Sequence, residues 1–232
     1  MAQELEAAAV ALTPAGHAGQ PKPVCEDVQV HTAGGLYIIT PAKRFRVHSA
    51  ALRLASPVFS CMLDPTSPFC EGQRLASNTS DSPASITLKE DDPEALEIIL
   101  NIAHLNGHLI PTTLEPNLLF AVASLCDKYD MARSLRCYSI LWTEKLTVED
   151  IREKLAIKWL AAAWALKNEA LFKIVTTYLV KYVKYRPKGP PEKGKEQQVG
   201  GGEVGEDEEV ILIFHDGTEL NTDGVPQKVL GT

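Results

Sequence analysis

Residues 45–59 read FRVHSAALRLASPVF. The first three residues close a strand that runs on past Pro41. His48 to Ala55 then makes a short helix, with Ala51, Leu52 and Ala55 on one side. Ser56 is a favoured N-cap and Pro57 suits the first helical position, so a second helix starts with no connecting loop. Its apolar residues Val58, Phe59, Met62 and Leu63 share a face until Asp64-Pro65 stops it.

The flanking segments extend this pattern. Asp27–Val30 alternates like a strand, Gly34-Gly35 marks a turn, and Leu36–Ile39 reads as the return strand of a hairpin. Residues 64–85 are rich in Ser, Pro, Asn and Asp and read as a loop around Phe69-Cys70-Glu71-Gly72. Ser85–Leu88 reads as a short strand. Asp92-Pro93 repeats the cap-plus-proline start, and Leu96, Ile99, Leu100 and Ala103 follow at helical spacing. Pro116 opens the next helix, and Asp130 caps another that carries Met131, Leu135, Tyr138 and Trp142. Thr147 with Asp150 forms a capping-box pattern ahead of Trp159, Leu160, Ala163 and Trp164. Asn168 caps a last helix with Leu171, Phe172, Val175, Leu179 and Tyr182 on its face.

A small N-terminal sheet packed with helices is an α+β arrangement. The expected organisation is a tail over 1–24, an α+β domain over 25–143 and a helical extension over 144–186. A linker rich in Pro, Gly, Lys and Glu spans 187–209, and a C-terminal segment spans 210–232. Within that segment Val210–Phe214 is a strand with no evident partner in the tail, and the edge of the N-terminal sheet is one place for it.

Charge and composition narrow the function. The chain has 232 residues, 45% of them hydrophobic, with a formal net charge of −7. A negative surface repels phosphate backbones, so nucleic acid is not an expected direct partner. No apolar run reaches the roughly 18 residues of a membrane span, and no basic segment precedes the short apolar run at the N-terminus. The five cysteines include no C-x-x-C pair, which fits reduced thiols in a cytoplasmic or nuclear protein. Cys126 and Cys137 read as packed thiols. Asn78-Thr79-Ser80 matches a glycosylation acceptor, which has no meaning without secretion.

Several ordered segments together resemble the BTB/POZ domain. They are Phe45-x-Val47-His48-x-x-x-Leu52-x-x-x-Ser56-Pro57-x-Phe59, Asp27-Val28, and Phe69-x-Glu71-Gly72. Ile86-x-Leu88-x-Glu90-Asp91-Asp92-Pro93-x-Ala95 and Leu118-Leu119-x-x-x-Ala123-x-x-x-Asp127-Lys128-Tyr129 complete the set. The resemblance covers about residues 26–142, and its variants look like the short stand-alone BTB proteins of fungi. It implies a module that binds other proteins, often as a homodimer, and often as a substrate adaptor on the cullin scaffold of a ubiquitin ligase. The alternative is a nuclear scaffold or transcriptional co-regulator that lacks its own DNA-binding domain. Dimeric members often carry a basic residue after the motif histidine, and here that position is Ser49.

On this reading Asp27, Phe45, His48, Leu52, Ser56, Phe59, Asp92, Asp127 and Tyr129 are structural motif residues, and Phe69 and Glu71 are the partner-binding pair. His48 is the one residue of the opening stretch suited to chemistry. A zinc site needs three or four ligands at close spacing, and no such pattern surrounds it. No nucleophile elbow is present either. The expectation is no catalytic residue, no metal and no cofactor. His48 is then a buried, hydrogen-bonded histidine at a helix start, whose truncation destabilises the domain. The basic stretch 181–195, interleaved with tyrosines, reads as a solvated helix end rather than a binding patch.

Overall fold

The computed structural model describes residues 25–77, 83–152, 155–187 and 210–214. The tail, residues 78–82 with the glycosylation-like triplet, and most of the linker and C-terminal segment lie outside the described residues.

Strands β1 (Glu26–Gln29), β2 (Leu36–Ile39), β3 (Lys43–Val47) and β4 (Ala84–Thr87) form one mixed sheet in the order β1-β3-β2-β4. The expected hairpin between β1 and β2 does not form. β1 pairs parallel with β3, and the hairpin is β2–β3. The turn that makes it lies at Thr40–Lys43, not at the glycines. The Thr40 N–H donates to the Lys43 carbonyl at 2.8 Å, and the Thr40 side-chain oxygen accepts from the Lys43 N–H at 2.9 Å. Pro41 therefore ends β2, and residues 43–47 return as a separate strand. Leu36, Ile38, Phe45, Val47 and Ile86 point to one buried face of the sheet, the period of two expected of strands.

Helices α1 (Ser49–Ala55) and α2 (Pro57–Met62) follow as expected. The Phe59 N–H donates to the Ser56 side-chain oxygen at 3.0 Å. Residues 64–85 are not all loop, because α3 spans Cys70–Ala76. Its good formers, Glu71, Gln73, Arg74, Leu75 and Ala76, were obscured by a glycine at the third position. Gly72 stands there because a Cβ would lie 2.0 Å from the Asp64 carbonyl oxygen. A close crossing of two backbone segments needs glycine more than it needs helix propensity.

Helices α4 (Pro93–Ala103), α5 (Pro116–Lys128) and α6 (Ala132–Thr143) cover the sheet and one another. Asp92 caps α4, accepting from the Glu94 and Ala95 N–H groups at 3.0 and 2.9 Å. Asp130 does not cap α6. It takes a left-handed conformation, φ 48°, in the tight turn between α5 and α6, and Met131 occupies the N-cap position. The capping box at Thr147 and Asp150 forms, but around a single 3-10 turn ahead of α7 (Ala156–Ala165). Asn168 caps α8 (Glu169–Tyr182) through the Leu171 N–H at 3.0 Å.

The hydrophobic core runs without a break from the sheet into α7 and α8. Phe120 of α5 meets Trp159 of α7 edge to face, ring centroids 4.8 Å apart. The buried Asn168 side chain donates to the Ser139 carbonyl and the Thr143 hydroxyl of α6. Val210–Phe214 finds its partner elsewhere than the N-terminal sheet. As β6 it pairs antiparallel with β5 (Val183–Pro187), in register from Val183 with Phe214 to Pro187 with Val210. The alternating residues after Tyr182 are thus strand, not helix end and linker.

Candidate interaction surface

The motif residues separate into a buried knot and exposed positions. Ser56, Phe59 and Tyr129 meet inside. Phe59 stacks on Tyr129 with centroids 4.4 Å apart and planes 12° apart. The Ser56 hydroxyl donates to the Tyr129 carbonyl at 2.5 Å while its oxygen caps α2. The Tyr129 hydroxyl donates to Asp91, which also receives the Lys128 ammonium at 2.5 Å. Asp91 belongs to the segment that carries the resemblance but was not placed among the structural motif residues, although its side chain is only 2% exposed. Its neighbour Asp92 carries the visible cap signal, and nothing local marks Asp91 as the residue that turns inward. Burial and the bond to Asp91 push the Tyr129 phenol well above its ordinary pKa. Phe45 and Leu52 are fully buried beside the knot, and Asp127 is exposed at the end of α5.

Asp27 lies outside this knot. It is exposed on β1 opposite Arg44 of β3 and takes its guanidinium through two bonds of 2.6 and 2.7 Å. The Arg44 hydrogen bond holds the Asp27 carboxyl below its usual range. The pair joins β1 to β3 across their register.

His48 is not buried. It is the N-cap residue of α1 with its side chain exposed and making no cap bond. Its backbone N–H donates to His104 Nε2 at 2.9 Å. The physical reason is orientation: Phe45 and Val47 face the core, and the chain turns outward at the next residue to start α1. His31, His48 and His104 gather at one groove, with the His31 ring 5.5 Å from that of His48 and 5.9 Å from that of His104. The groove holds about 540 Å³ and is otherwise lined by Ala51, Leu54, Ala55, Ile102, Ala103, Leu105 and Ser134. Leu54 and Leu105 are each 91% exposed at its edge. Nothing in the sequence spacing brings His31, His104, Leu54 and Leu105 together beside His48. They sit on three segments whose meeting depends on how α1 crosses the end of α4.

Phe69 and Glu71 lie apart from the groove, at the start of α3. Phe69 is the N-cap residue and 49% exposed, while Glu71 is half-buried and receives the Cys70 thiol at 3.5 Å. Among the thiols, Cys126 is buried and its pKa is pushed up to about 12 by burial, so it is inert at neutral pH. Cys137 is exposed on α6, contrary to its reading as a packed thiol. Among the described residues no three His, Cys, Asp or Glu side chains are placed to hold a metal ion, and no helix is long and apolar enough to cross a membrane.

The sequence model of the BTB/POZ domain family matches residues 36–146, from β2 to just beyond α6. No curated protein matches the chain.

Proposed function

Residues 36–146 make this chain a BTB/POZ domain protein, a protein-protein interaction module, and we propose that it self-associates through the α1–α4 groove and acts as a cullin-type ubiquitin-ligase adaptor. The observation that carries this reading is the pair Leu54 and Leu105, two large apolar side chains left almost wholly in water at the edge of an apolar groove. Covering one leucine is worth about 1.5–3 kcal/mol. Two from each copy give a gross gain of the same order as the roughly 4–15 kcal/mol cost of association. The expected dimer is therefore reversible. With Ser49 in place of the basic residue of dimeric relatives, it rests on apolar burial rather than on charge.

Phe69 and Glu71 supply the scaffold-facing element, an exposed aromatic ring beside a carboxylate. The chain acts by recognition and carries no catalytic role on this reading. Light scattering on size-fractionated protein across a concentration series tests the self-association. The wild-type chain shifts from monomer to dimer, and Leu54→Asp/Leu105→Asp stays monomeric. A wild-type chain that remains monomeric throughout overturns it. Pull-down with a cullin N-terminal domain tests the adaptor role, with Phe69→Ala/Glu71→Ala expected to lose the interaction. No capture by the wild type rejects the adaptor and leaves the co-regulator reading, which affinity purification from the native cell with recovery of chromatin factors would support.

A further inference from the structure

His104 closes α4, and both of its ring nitrogens are engaged. Nδ1 lies 2.7 Å from the Leu100 carbonyl, which can only accept, so Nδ1 bears the proton. Nε2 lies 2.9 Å from the backbone nitrogen of His48, which can only donate, so Nε2 bears the lone pair. Only the neutral ring with its proton on Nδ1 satisfies both bonds. A second proton must go to Nε2, and the His48 N–H then loses its acceptor.

That bond is where the head of α1 is fastened to the end of α4. The α1 N-cap has no side-chain hydrogen bond to replace it. We propose that His104 is a proton-operated latch: neutral, it holds the head of α1 against α4, and protonated, it releases that head and with it one wall of the groove. The latch rests on local hydrogen bonds and stands whether or not the groove self-associates.

The surroundings of His104 favour the neutral ring. The titratable groups that face it are His31, from the loop after β1, and His48, at the head of α1. From α6 the groove receives Ser134, from α1 Ala51, Leu54 and Ala55, from α4 itself Ile102 and Ala103, and from just beyond α4 Leu105. The lining contains no carboxylate to stabilise a cation. Burial lowers the His104 pKa from its ordinary value, the bond to Leu100 pulls it upward, and charge on His31 and His48 lowers it again. Charge on His31 or His48 therefore opposes a charge on His104.

An NMR pH titration of the full chain, labelled with 15N, tests the latch. The ring nitrogens report the tautomer, and the amide of residue 48 reports the bond. The variant His48→Ala keeps that amide and removes the neighbouring ring. The expected result is a neutral ring protonated at Nδ1, with a midpoint below about 6.5. In His48→Ala the residue-48 amide proton should shift upfield at the same midpoint. That shift should be lost in His48→Ala/His104→Gln. A residue-48 amide that does not follow His104, or a neutral ring protonated at Nε2, overturns the proposal.

Discussion

Two consecutive helices of this domain begin in opposite ways. At α2 the N-cap is Ser56, buried, its hydroxyl both capping the helix and donating to the Tyr129 carbonyl. At α1 the N-cap is His48, exposed, its side chain making no cap bond and its backbone N–H held by a titratable ring. The first start is tied into a sealed knot with Phe59, Tyr129 and Asp91. The second opens on a groove. Eight residues apart, one junction is sealed in the core, and the other is the one proposed to make contact and respond to pH. Substitutions at the knot should therefore change stability, whereas changes at the groove should change pH response and association.

Removing the Phe59 ring is expected to have the largest effect. It is fully buried and stacked on Tyr129, so Phe59→Ala should lower the unfolding free energy by about 3–5 kcal/mol in chemical denaturation. A loss below about 1 kcal/mol would mean that the stack lies on a surface. Tyr129→Phe keeps the ring and removes the hydroxyl, leaving the buried Asp91 carboxylate with Lys128 alone. The expected loss is about 1–3 kcal/mol, the cost of an unmet buried polar group. Ser56→Ala removes both a cap and a cross-link to Tyr129, so a drop of about 1–2 kcal/mol should appear in the same measurement.

Acidification acts on the other junction. The unfolded chain binds a proton at a histidine near pH 6.5, while folded His104 binds it lower. The stability contributed by neutral His104 is therefore complete above about pH 6.5 and is lost as pH falls through that value toward the folded pKa. A second loss begins as pH falls through the ordinary carboxylate range, where the unfolded chain takes up protons that Asp27, Asp64 and Asp150, all held low by their hydrogen bonds, still refuse in the folded state. A melting-temperature scan against pH should show both steps, with the first absent in His104→Gln. A single acid step would erase the contrast between the junctions. His48→Ala should change the unfolding free energy least, within about 0.5 kcal/mol, because the exposed side chain makes no cap bond. A larger loss would move His48 back into the structural class.

Legibility followed the range of the interaction. Ser56-Pro57, Asp92-Pro93 and Asn168 announced helix starts because a cap bonds to backbone only two or three residues ahead. The α+β class was readable from local pattern, and the BTB/POZ character from the resemblance of several ordered segments to that family. The sheet order was not. The glycines at 34 and 35 resemble a hairpin turn, but pairing is decided by which strands can bury Leu36, Ile38 and Phe45 together. Helix α3 was hidden because Gly72 answers to a distant carbonyl at Asp64. Of Phe69 and Glu71, the proposed partner-binding pair, the residues were visible and their exposure was not.

The order of segments by itself determined the α+β class and the helix starts at Ser56, Asp92 and Asn168, since each cap signal is completed within a few residues. Tertiary structure alone decided that Asp91 turns inward to Lys128 and Tyr129. It also decided that β6 pairs with β5, and that His31, His48 and His104 share a groove with Leu54 and Leu105. Those contacts join residues dozens of positions apart. The packing that brings them together depends on the summed burial of the whole core, which no short stretch of sequence encodes.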